Sequence, residues 1–167
     1  GFEFLDMTYV PDQHRIALLR RVAPAGISLF DNAGTPAGTI PLPAFGRGAF
    51  SYIPSTQQFA MRMTGSPPSQ LQVMASDGTW VRTIDFAPLD ISFVAAATFF
   101  NPAHPSGGQF LILERDGRAM VADFNGNLLW QFDYHARLGV NAVGDVATIT
   151  SGPDKGLKVL HATQFSA

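Results

Sequence analysis

Three aspartates, Asp6, Asp90 and Asp145, stand at or just before the starts of short apolar runs that read as strands. Carboxylates carried to one opening from separate strands could ligate calcium, a hard cation that takes oxygen ligands, or polarise a sugar or an ester. Acid/base work would also require them to lie close enough to shift one another's pKa. An aspartate at a strand start also commonly caps a turn, so both roles stay open. His104 sits in Ala103-His104-Pro105-Ser106-Gly107-Gly108, the most loop-like stretch of the chain, and loops on a rigid scaffold are where function tends to sit. Trp130, like Trp80, could stack on a sugar or supply packing area between structural units. The four histidines, His14, His104, His135 and His161, are scattered, and a zinc site would need three of them to converge from distant segments. The binding candidates are therefore Asp6, Asp90, Asp145, His104 and Trp130; no catalytic residue and no metal ligand set is assigned.

Much chemistry is excluded. The chain has no Gly-rich phosphate loop, no Gly-x-Ser-x-Gly elbow, no His-Glu-x-x-His and no Asp-x-Asp-x-Asp-Gly calcium loop. With no cysteine, disulfides and thiolate chemistry are absent, which leaves cytoplasm, periplasm and secretion all open. A net charge of -2 and only 14% charged residues give no basic footprint for nucleic acid. The longest apolar run, from Ile91 to Phe100, is interrupted by Ser92 and Thr98 and is too short to span a membrane. The start at Gly1, without an initiator Met, reads as a processed or excised terminus.

The elements that must carry these residues are short strands. Fourteen Phe, sixteen Gly and twelve Pro within 46% hydrophobic residues suit tight turns between strands and suit helices poorly. Val121 to Phe132 reads as a hairpin hinged on Asn125-Gly126, with relatives around Gly34 and Gly78. Thr8-Tyr9-Val10-Pro11 is echoed by Ser51-Tyr52-Ile53-Pro54, and a second strand follows each proline at the same interval. Such a period predicts a repeat architecture. The units run about 2–43, 44–89, 90–139 and 140–167, giving three complete four-stranded blades and half of a fourth. The fold class expected is all-β and β-propeller-like, with a β-sandwich as the rival.

The stretch Asp123-Phe124-Asn125-Gly126-Asn127-Leu128-Leu129-Trp130-Gln131-Phe132 resembles the end of a blade in quinoprotein propellers, and Phe30-Asp31-Asn32-Ala33-Gly34 looks like the NHL families. Gly38 and Arg82 occupy the positions equivalent to Trp130, so the resemblance implies the fold and no cofactor. Blades close into rings of typically four to eight, and an open arc leaves hydrophobic faces that invite association. The chain therefore reads as a propeller segment that serves as a binding scaffold. It would be completed by a second propeller segment, by the remainder of its own protein, or by a second copy. A small molecule or a protein is the expected ligand class. The alternative is a hydrolase or lyase with a calcium ion at the channel mouth.

Overall fold

A computed structural model describes residues 3–100, 105–114, 118–133, 138–140, 146–150 and 156–160. Its strands form antiparallel sheets in chain order. The first holds β1 (Phe4–Val10), β2 (Arg15–Arg20), β3 (Gly26–Asp31) and β4 (Pro36–Pro41). In the second are β5 (Ser51–Ile53), β6 (Gln58–Met61), β7 (Gln70–Met74) and β8 (Trp80–Asp85). The third contains β9 (Val94–Phe100), β10 (Gln109–Glu114), β11 (Arg118–Asp123) and β12 (Leu128–Asp133). A fourth sheet has three strands, β13 (Leu138–Val140), β14 (Val146–Thr150) and β15 (Gly156–Leu160).

That last sheet differs from the sequence reading. The half unit expected over about 140–167 has three strands, with β14 in the middle, because β13 precedes it and pairs with it. β13 is only three residues long, too short for alternation to reveal. It begins 44 residues after β9, in step with the repeat.

The outer hairpins are one structure made three times. The N–H groups of Gly34, Gly78 and Gly126 donate to the carbonyls of Asp31, Ala75 and Asp123 at 3.0, 2.9 and 3.0 Å. Each ladder shifts register just before its turn, at Leu29/Phe30, Val73/Met74 and Val121/Ala122. All three glycines have positive φ, the conformation that the absence of a Cβ makes easy. Aspartates fasten the turns. Asp31 Oδ1 accepts the N–H groups of Ala33 and Thr35, and Asp77 Oδ1 accepts Thr79 N–H.

These bonds set an acid limit. The backbone N–H of Thr35 holds the Asp31 carboxyl below its ordinary value of 3.8; Thr79 does so for Asp77, and Ala87 for Asp85. A depressed folded pKa stabilises above the unfolded value, and the contribution is lost as pH falls through the folded one. The melting midpoint should therefore hold near neutrality and fall below about pH 4. The triple variant D31N/D77N/D85N keeps acceptor oxygens but cannot titrate there, so its acid limb should be flatter in a pH series of melts. An unchanged limb would contradict the assignment.

Successive sheets pack face to face around two cores. One gathers Leu19, Ile27, Tyr52, Phe59, Met61 and Met74 between sheets one and two. The other gathers Leu71, Ile84, Phe86, Phe99, Phe110 and Met120 between sheets two and three. Hydroxyls join the first strands. Thr8 Oγ1 accepts Tyr52 N–H at 3.2 Å, and Ser51 Oγ accepts Phe99 N–H at 2.7 Å. Outer hairpins also sit on the preceding sheet: Gly78 lies against Ile40 and Pro41, and Gly126 against Ile84 and Asp85. Arg82 stacks over the Phe124 ring at 3.8 Å and donates to the Phe124 carbonyl at 2.6 Å, clamping the third hinge to the second sheet.

Candidate functional site

The ends of the first strands form a mouth. Before β5, residues 45–48 run antiparallel to residues 62–64 after β6: Arg47 N–H donates to the Arg62 carbonyl at 2.7 Å, Arg62 N–H to Gly48 at 3.0 Å and Thr64 N–H to Phe45 at 2.8 Å. This ribbon, with Leu5 of β1 and Phe93 just ahead of β9, borders a cavity of about 780 Å³. Arg21, Arg47 and Arg62 all line it. The Arg62 guanidinium lies over the Phe93 ring at 4.2 Å and donates through Nη2 to the Arg47 carbonyl at 2.6 Å. Its Nε is buried with no partner. Burial, reinforced by the charge of Arg47, lowers its pKa. Arg47 Nε donates to Thr64 Oγ1 at 3.1 Å. None of the three arginines is ion-paired with a carboxylate among the described residues.

Three arginines thus converge on one cavity. Arg47 and Arg62 are distant in sequence, and only the ribbon brings them together. Asp6 is close by but occupied: Oδ1 accepts Met7 N–H at 2.9 Å and Oδ2 accepts Phe50 N–H at 3.1 Å, a joint between sheets one and two. Asp90 ends a short 3-10 helix with φ of 59°, and its exposed carboxylate pairs with Arg118 at 3.6 Å. Among the described residues no three acids or histidines come together in a way that could hold a metal. Asp145 and His104 lie outside the described residues. Trp130 is half-buried on β12, opposite Val121, while Trp80 is exposed opposite Met74. Gly38 pairs with Leu29 and Arg82 with Val73, so both stand at the Trp130 position, as the sequence alignment of the units expected.

A second feature is the outward face of the first sheet. Residues paired across antiparallel strands share a face. Tyr9, Ile16 and Phe30 form one such row, and Tyr52, Phe59, Met74 and Phe99, Phe110, Ala122 are its counterparts in sheets two and three. The counterpart rows are buried under the preceding sheet, with Tyr52 and Phe59 at 4% and 2% exposure. Tyr9 is 48% exposed and Met7 beside it 68%, while Ile16, Leu18 and Phe30 are half-buried. Gly34 shows the same lack of cover: a Cβ there would meet nothing within 4 Å.

No family model matches the chain, and no curated protein does. Among solved structures it is similar to BBS1N in complex with ARL6DN, at 14% identity and a TM-score of 0.54 over 87% of this chain and 45% of that one. It is also similar to the hydrazine synthase of Kuenenia stuttgartiensis, at 10% identity and a TM-score of 0.62 over 98% of this chain and 47% of that one. The chain spans less than half the length of either structure. At such identities the likeness is one of fold: it accords with propeller blades and does not single out the NHL or quinoprotein families. The chain folds as a partial β-propeller, with three four-stranded blades followed by a three-stranded sheet.

Proposed function

We propose that the protein is a binding scaffold whose open first-blade face takes a further four-stranded blade, supplied by another chain or by another segment of its own protein. The row Tyr9–Ile16–Phe30 carries this reading, because its counterparts in blades two and three are buried under a blade and it is not. The joint already present describes the partner. Thr8 and Asp6 of blade one offer acceptors to the Tyr52 and Phe50 N–H groups, and Asp12 Oδ2 accepts the Tyr52 hydroxyl at 2.9 Å. The incoming blade would therefore carry a hydroxyl or carboxylate on its first strand and an acid in the turn after it, set to meet Tyr9. Similarity to BBS1N, whose structure is a complex with ARL6DN, accords with a protein partner.

Light scattering across a concentration series, with an apolar dye as second probe, tests the proposal. Association beyond a single chain and dye uptake are expected. Both should be abolished in M7K/Y9K, while unfolding stability stays within about 1 kcal/mol of the parent's, because Met7 is 68% and Tyr9 48% exposed. A monodisperse single chain that ignores the dye and melts cooperatively would overturn the reading.

A further inference from the structure

The cavity at the mouth carries a separate inference. Three arginines line one concave space, and among the described residues none of them is ion-paired with a carboxylate. A guanidinium offers five N–H donors in a planar fork that matches an oxyanion. Arg62 uses one donor on the Arg47 carbonyl, and its Nε is buried without a partner, an arrangement that costs free energy. Phe93 stacks beneath Arg62 and holds its plane. Arg47 is steadied by Thr64 and brings a second positive charge to the same ribbon. Beside these cations part of the wall is apolar: Phe45 is 37% exposed and Leu5 42%, where a ligand would cover them. The volume falls within the range of about 300 to 1,000 Å³ usual for small-molecule sites.

We propose that this mouth binds a small organic oxyanion, a carboxylate or phosphate carried on an aryl or branched apolar body. Arg47 and Arg62 hold the charged end, Arg21 adds long-range attraction, and Phe45, Leu5 and Phe93 take the body. The concave form favours a small molecule over an acidic peptide.

Titration calorimetry of the whole chain with benzoate, phenyl phosphate and neutral benzamide tests the site. Saturable one-to-one binding of at least one anion is expected, weakening as salt rises, with benzamide silent. R47Q removes one charge from an exposed side chain and should weaken binding about ten- to hundredfold with an unchanged melt. R62K, which keeps the charge but loses the fork, should weaken it as well, and R82Q, outside the cavity, should not. Tighter binding of phenyl phosphate assigns the natural head group as phosphate, and tighter binding of benzoate assigns it as carboxylate. Equal affinity for benzamide, indifference to R47Q, or no saturation by either anion would overturn the site. So would arginine-dependent binding of an acidic peptide when both aryl anions fail.

Discussion

Gly78→Ala is expected to destabilise the protein by about 3 to 5 kcal/mol, whereas Gly34→Ala in the same kind of turn should cost about 1 to 2. Both residues have positive φ, 87° and 82°, so both substitutions meet the penalty of placing a Cβ in the left-handed region. Only at Gly78 would the new Cβ also be driven onto the Pro41 carbonyl oxygen, with Ile40 Cγ2 at 3.2 Å behind it. A backbone carbonyl cannot swing aside as a side chain can, so the second hairpin would have to lift away from the first blade. Urea midpoints at matched m-values give the comparison directly. Equal losses at the two positions would mean that the hairpin does not rest on the neighbouring blade.

Phe59→Ala is the second large effect, at about 3 to 5 kcal/mol. Phe59 is 2% exposed and lies in the core between blades one and two, with its ring 5.5 Å from Phe50 and 5.1 Å from Tyr52. Truncation leaves a cavity that two other rings border and that the facing sheet cannot fill without moving. Ile16 occupies the same place in blade one, paired with Tyr9 as Phe59 is with Tyr52. Because Ile16 is only half-buried and no described sheet packs over it, Ile16→Ala should cost only about 1 kcal/mol in the isolated chain. Denaturant unfolding of the two variants separates them, and a loss at Ile16 as large as that at Phe59 would show that its face is already covered.

The fold was legible because the repeat is written in residues that make the joints. Thr8-Tyr9 and Ser51-Tyr52 recur because the hydroxyl bonds the next blade and the ring faces the previous one. The turn glycines recur because each hairpin needs positive φ. Where local chemistry varied, the reading weakened. In blade two Ala75 replaces the aspartate at the hairpin's first position, and Asp77 takes over the fastening. In blade three Thr98-Phe99 repeats the pattern, but its proline falls one residue later. The site was less legible than the fold. Asp6 was singled out, yet its carboxylate serves a joint between blades. The arginines were passed over because their meeting depends on the pairing of residues 45–48 with 62–64, which no spacing in the chain announces.

The direction of the blade joint has a consequence for symmetry. Thr8 presents the acceptor and Tyr52 the donor, so the two sides of the contact are different surfaces, and the joint is heterologous. Two copies that met through their first-blade faces would instead be related by a twofold axis, each contact made twice with the roles of the copies exchanged. Such a dimer would bury the apolar row and stop at two, yet would lack any hydroxyl-to-amide bond of the Thr8–Tyr52 kind. A true blade completion repeats that bond, advances the arc in one rotational sense, and ends only when the ring closes.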